Sequence, residues 1–282
     1  MLKALALLEV TCKFGDDSCP FPAPGAEIFF FPPITSFTGP DGSAWELNKP
    51  VLFAGVAALV VIIFFLTAFA RPKLVPRGMQ NLGEVIYIFF KNHFAKDVIG
   101  QGGEKYISLL MSLFSFIWIM NLFSIIPGIQ FPITSRFAFP LILSLIVYFT
   151  FIGVGIKSQG VGAYFKGVAF PDVQPRAILV LLTPLEILST FIIRPATLAI
   201  RLFANMFAGH LLLVIFSVSA WYLLNLTNFV GVVSVVGYVG SIASFIMTIV
   251  LTAFEMFIQL LQAYIFTLLT AMFIAEAQSA HH

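Results

Sequence analysis

Arg201, Asn205, His210, Glu255, Gln259 and Gln262 are polar side chains set deep inside two long apolar stretches. An arginine there keeps its charge, because a guanidinium holds its proton up to a pKa of about 12 or more. Placing it at mid-bilayer costs at least about 2.5–3.5 kcal/mol. Such a residue marks an ion or substrate pathway and needs a partner. His210 and Glu255 can both exchange protons, and Asp, Glu and His inside a membrane are the material of a proton relay. An imidazole ordinarily titrates near 6.5, so it loads and unloads close to neutral pH. Asn205 and Gln259 are neutral and can hold water. Glu186, Arg194 and Glu276 lie further along the same two stretches.

If the two stretches form an antiparallel helix pair, residues at equal depth have position numbers with a constant total. That rule sets Arg201 opposite Gln262, Asn205 opposite Gln259, His210 opposite Glu255, and Glu186 opposite Glu276. The implied midpoint falls just past the polar run Asn225-Leu226-Thr227-Asn228. Arg201 and Asn205 are four apart, as are Glu255 and Gln259, and Gln262 is seven beyond Glu255. These spacings put side chains on one helical stripe. His210 is nine residues from Arg201, on the opposite side, and meets Glu255 only if the helices cross at an angle. No acid shares the depth of Arg201 within the pair, which points to a carboxylate on another subunit. Blander roles stay open. Gln259 and Gln262 also serve as helix-packing groups, Arg194 as a snorkelling residue near one end, and Glu186 and Glu276 as solvated helix ends.

The elements that must carry these groups are membrane helices. The 282-residue chain is 60% hydrophobic with 33 Phe, and only 10% of its residues are charged, against about 25% in a soluble domain. Its apolar runs are continuous rather than alternating, which excludes a β-barrel. The net charge of +2 carries no sign of nucleic-acid binding. The fold class is an all-α polytopic membrane protein with about five membrane helices and an amphipathic interfacial helix. Residues 1–50 read as an extracytoplasmic segment with little regular structure. Residues 51–70 are a first crossing, followed by Arg71, Lys73 and Arg77, which mark the cytoplasmic side. Residues 71–105 form a cytoplasmic loop. In it Leu82, Val85, Ile86, Phe89 and Phe90 recur at helical spacing. Residues 106–176 hold a helical pair (106–126 and 137–156) and a second basic loop.

Residues 177–278 form two stretches, each long enough for a helix of about 65–70 Å. A perpendicular crossing needs only about 20 residues, so the pair is split or strongly tilted. Pro184 and Pro195 can kink the first stretch; only Gly237 and Gly240 offer a break in the second. A tilted hairpin is preferred, and tilt implies a large partner surface. Residues 279–282 are a tail. Residues 1–10 resemble a poor signal sequence. Cys12 and Cys19 pair or stay free, and lack companions for a metal site. No cofactor is expected, and no phosphate-binding Gly-x-x-x-x-Gly-Lys-Ser/Thr run occurs in the chain.

Arg-Leu-Phe-Ala-Asn-Met-Phe-Ala-Gly-His (201–210) resembles the core motif of subunit a of the F-type ATP synthase. Leu-Gln-Ala-Tyr-Ile-Phe (261–266), Ile-Met-Asn-Leu-Phe-Ser-Ile-Ile-Pro-Gly (119–128) and Gln-Asn-Leu-Gly-Glu (80–84) resemble further segments of that family. The resemblance covers about residues 70–278 and leaves the first 50 unassigned. It implies a stator subunit of the Fo sector, not an enzyme on its own, in a proton-translocating complex. The implied partners are a ring of c subunits, the b subunit of the peripheral stalk, the other ATP synthase subunits and the bilayer. Arg201 corresponds to the family's essential arginine. His210, Glu255, Asn205, Gln259 and Gln262 would line an outer half-channel, with His210 and Glu255 in an exchanged acid–imidazole arrangement. Glu186 and Glu276 would line an inner one. The bacterial cytoplasmic membrane is the expected location, with the mitochondrial inner membrane as the alternative. A self-contained proton-coupled transporter is the rival reading, but it calls for internal repeats and broken helices, and no repeat is visible.

Overall fold

The computed structural model describes residues 24–29, 35–38, 44–70, 73, 75–100, 102–126, 131–169, 179–225 and 232–279. Residues 1–10, Cys12, Cys19, Arg176 and the turn residues 226–228 lie outside them. Five of the helical segments are long and apolar enough to cross a membrane. The chain is an all-α polytopic membrane protein with a small hairpin before its first helix.

That hairpin departs from the sequence expectation for residues 1–50. A 3-10 turn at Ala26–Phe29 is followed by strands β1 (Thr35–Thr38) and β2 (Ala44–Leu47). They pair antiparallel, with Thr35 opposite Leu47 and Phe37 opposite Trp45. Thr, Phe and Trp suit a pleated surface.

Helix α1 (Lys49–Phe69) has proline in its first turn, where the missing N–H costs nothing. Only Pro50, Ala57, Val61 and Ala68 are buried, a stripe at helical spacing. Phe53, Ala54 and Phe65 pack partly buried beside it, and Leu52, Leu59, Ile62, Ile63 and Leu66 are exposed. Helix α2 (Met79–Phe90) runs on through a π-helical stretch, Lys91–Ile99. It packs on α1 through Gly83, where a Cβ would stand 2.8 Å from the Cβ of Ala68. The expected apolar stripe is therefore divided. Ile86 and Phe90 turn into the core, while Leu82, Val85 and Phe89 stay exposed. Close approach at Gly83 decides which side faces in.

Helix α3 (Ile107–Leu122) and helix α4 (Ala138–Gln159) follow, and both pack against the last helix of the chain. Gly160, at φ 84°, turns the chain into a short helix α5 (Val161–Ala169) that the sequence reading missed. The Tyr164 ring lies where a side chain on Gly155 would go. Helix α6 (Leu179–Leu188) leads through a π-helical turn, Ser189–Ile193, into α7 (Arg194–Asn225). That turn stands between Pro184 and Pro195, where two missing donors loosen the backbone ladder. Helix α8 (Val232–Ser279) runs unbroken for 48 residues, about 72 Å at 1.5 Å per residue.

The break conceivable at Gly237 or Gly240 does not occur. Gly240 instead lets α7 approach, with its Cβ position 3.0 Å from Leu223. Nearby, Ser241 Oγ donates to the Ala220 carbonyl at 2.8 Å. Together α7 and α8 form a long antiparallel hairpin whose flank is covered by α3 and α4. Phe90, Phe94, Ile117, Met120, Leu202 and Phe266 are fully buried in the shared core.

Two groups outside the spans set an alkaline limit. The Lys91 ammonium is raised from 10.5, chiefly by its hydrogen bond to Glu104, 3.1 Å away. Burial pushes the Tyr164 phenol up from 10.0. Each group's folded pKa lies above its unfolded value. Its contribution is thus full below the unfolded pKa and lost as pH rises through the folded one. The thermal transition of the assembled protein should be flat in these groups from about pH 6 to 9 and fall above about pH 10. Tyr164→Phe should remove part of that fall, as read by calorimetry across the pH series.

Candidate functional site

Helix α7 has two different faces where the polar residues cluster. Leu198, Leu202 and Met206 are buried against the rest of the protein at 2%, 0% and 3% exposure. Thr197, Arg201, Ala204, Asn205 and Ala208 are exposed on the other side. Arg201 thus projects away from its own subunit. Among the described residues it has no hydrogen bond or ion pair. The small Ala204 and Ala208 flank it one and two turns on, which leaves room for a second helix to come close.

Arg194, seven residues earlier, is the contrast. Its Nη1 and Nη2 donate to Glu276 Oε2 and Oε1 at 2.7 and 2.8 Å. Nη2 also lies 3.7 Å from Glu186 Oε1, and the guanidinium stands 5.3 Å from the centre of the Phe273 ring. The snorkelling role expected for Arg194 is replaced by a fork-to-fork clamp, the strongest geometry available to arginine. Glu186 and Glu276 meet, as their matched depth implied, but with a cation between them. Two carboxylates on one guanidinium leave one formal negative charge.

The polar row on α8 is present with different partners. Asn205 Nδ2 donates to Gln262 Oε1 at 2.7 Å, so Asn205 pairs with Gln262 rather than Gln259. Gln259 turns the other way. Its Nε2 donates to Ser124 Oγ at 2.7 Å and to Glu255 Oε1 at 3.3 Å. The constant-total rule is good only to about one turn, and the lengths of Arg and Gln absorb that difference. Ser124 in turn donates to the Asn121 carbonyl at 2.9 Å, and Thr134 Oγ1 donates to Asn121 Oδ1 at 2.8 Å. Asn121, Ser124 and Thr134 extend the polar row into α3 and the loop after it. The sequence reading quoted the first two within a motif but gave them no role. The signal was there: three polar groups inside an apolar segment.

Glu255, Gln259 and Gln262 are 5%, 2% and 4% exposed. A small cavity, with room for about one water molecule, is lined by Asn121, Asn205, Met206, Glu255, Gln259 and Gln262. Among the described residues eight buried side-chain polar atoms lack a protein partner, and they include four neighbours in the sequence pattern: His210 Nδ1, Glu255 Oε2, Gln259 Oε1 and Gln262 Nε2. All four belong to the row read from sequence. Buried polar atoms require partners, and bound water is the usual one.

His210 does not approach Glu255 within ion-pair distance. Gly209 stands there instead, its Cβ position 3.5 Å from the Glu255 carboxyl. The cause is helical phase, since nine residues from Arg201 carry His210 off the stripe. His210 lies against Phe29, with ring centroids 5.8 Å apart. Nothing in the sequence reading paired these residues, because Phe29 precedes the first helix. Among the described residues, no cluster of His, Cys, Asp and Glu has the makings of a metal site.

Residues 51–275 match the family model described as ATP synthase A chain. The chain is 46% identical to ATP synthase subunit a of Streptomyces lividans over 94% of this chain and 91% of that one. It is 50% identical to ATP synthase subunit a of Frankia alni over 83% and 78%. Over 93% and 95% it is 38% identical to that of a Nocardioides strain.

Replacing Gln259 by Leu should remove the donor to Ser124 Oγ and to Glu255 Oε1. A cost of about 1–3 kcal/mol is expected for such a loss, read as a lower temperature for dissociation of the assembled complex. Adding Ser124→Ala should recover part of it, because the two residues share one bond.

Proposed function

The chain belongs to the ATP synthase A chain family, and on that premise we propose that it is the stator of the Fo sector, conducting protons to and from a rotating ring through two half-channels. Its location is then the bacterial cytoplasmic membrane. Its neighbours are the c-ring and the b subunits of the peripheral stalk, with the remaining ATP synthase subunits beyond.

The observation that carries this reading is the exposed, unpaired guanidinium of Arg201. A charge that cannot be shed, on a face turned away from its own subunit, requires an acid brought by a partner. A ring of c subunits, each with one membrane carboxylate, supplies such acids in turn. Arg201 favours the ionised form of the acid before it. As a fixed positive charge between the half-channels, it also blocks direct proton passage.

Protons enter past His210 and Glu255. They move through water held by Gln259, Asn205 and Gln262, with Ser124 and Asn121 bordering the same path. They then neutralise a ring carboxylate. Neutral, that acid can turn through lipid at low cost; ionised, it cannot. After nearly a full turn it releases its proton on the other side, where Glu186 and Glu276 bracket Arg194. Their single excess negative charge favours a cation leaving by that route. The driving energy is about 2.3 kcal/mol per proton per 100 mV. The length of α7 and α8 suits helices that lie along a curved ring.

The test is ATP-driven proton pumping in inverted vesicles carrying the whole complex. Arg201→Ala and Arg201→Lys should both abolish pumping while ATP hydrolysis by the soluble head survives, because lysine lacks the planar fork. Pumping that persists in both variants would make Arg201 a structural residue and end this reading.

A further inference from the structure

Phe29 is 5% exposed although it precedes every membrane helix. Its burial comes from two directions. Its ring lies 4.7 Å from Phe207 and 5.8 Å from His210. Its carbonyl accepts a hydrogen bond from Arg136 Nη2 at 3.4 Å. The contacts then close into a loop. Phe207 stacks on Phe203 at 5.4 Å, one turn back along α7, and Phe203 meets the edge of Phe137 at 5.7 Å. Phe137 is the neighbour of Arg136. A 3-10 turn, one face of α7 and the start of α4 are thereby fastened together, with His210 at the rim.

We infer that Phe29, held by Arg136, is a positioning residue that covers the His210 imidazole and fixes how water reaches it. The inference deepens the outer half-channel proposed above and rests on it for the role of His210. Its physical basis is independent of that role. An aromatic ring against an imidazole excludes water from that side and limits the rotamers the histidine can take. His210 Nδ1 is buried and has no protein partner, so its hydrogen bond must come from water arriving on the side Phe29 leaves open. Among the described residues the cover is attached at one polar point, the Arg136 bond to a backbone carbonyl, so it can be loosened without touching the row itself. The proposal gives the segment before α1 a part in the path, where the sequence offered none.

The experiment is carbethoxylation of His210 by diethyl pyrocarbonate in the intact, membrane-embedded complex, followed by peptide mass spectrometry. In the wild type the reaction should be slow. Phe29→Ala and Arg136→Gln should each speed it several-fold, and Phe29→Tyr should restore the slow rate, because a ring of the same shape returns. A His210 rate unchanged in both Phe29→Ala and Arg136→Gln overturns the proposal. If Phe29→Ala fails to assemble, Phe29→Leu and Arg136→Gln give the same comparison. ATP-driven pumping in His210→Ala separates the two levels. Undiminished pumping there removes His210 from the path but leaves the cover. Unchanged labelling removes the cover but leaves the path.

Discussion

Everything in this structure answers to one constraint: Arg201 carries a charge that it cannot lose, on the outward face of a membrane helix. Its own subunit provides no acid for it among the described residues. Exposure to lipid would cost at least about 2.5–3.5 kcal/mol, a cost that negative charge supplied by a partner would offset. Arg194 shows what the chain does with an arginine that is meant to stay paired. It is clamped in a fork by Glu276 and flanked by Glu186. Two arginines seven residues apart on α7 are treated oppositely, and the difference separates a structural cation from one kept available.

The packing is organised around that availability. Leu198, Leu202 and Met206 anchor α7 to the body of the subunit, while Ala204 and Ala208 keep the opposite side low. A π-helical turn between Pro184 and Pro195 re-aims the chain where α7 begins, and α8 lies along α7 without a break. Behind Arg201, the amides of Gln259 and Gln262 keep free hydrogen-bonding capacity at Oε1 and Nε2. Such half-satisfied groups are costly in a dry core. Both side chains line one small cavity with room for about one water molecule.

The sequence told much about elements and less about partners. Continuous apolar runs marked five candidate crossings, and helical spacing grouped Arg201 with Asn205 and Glu255 with Gln259 and Gln262, but Arg201 faces outward rather than toward Gln262. Pairing along the row was readable only to about one turn, because long side chains hide an offset of that size. Asn205 therefore took Gln262, and Gln259 took Ser124. The clamp on Arg194 was missed for the same reason: its side chain reaches across a difference in depth. The β1–β2 hairpin, helix α5 and the contact of Phe29 with His210 were illegible for other reasons. The hairpin and α5 are too short for periodicity to mark, and the Phe29 contact depends on tertiary proximity between distant segments. Gly83 and Gly240 illustrate the point, since both mark close helix approaches visible only once the neighbouring helix is in place.

The central claim is that the Arg201 face of α7 lies against the carboxylate-bearing helix of a ring subunit. Disulfide cross-linking in the intact complex tests it most directly. Cysteine would be introduced at Ala204 or Ala208 on that face, and at Leu202 or Met206 on the buried face. Each would be paired with a cysteine one turn from the ring carboxylate. The account predicts rapid oxidation to a cross-linked product for Ala204→Cys and Ala208→Cys, and none for Leu202→Cys and Met206→Cys. Cross-linking from the buried face alone, or from neither face, would contradict it.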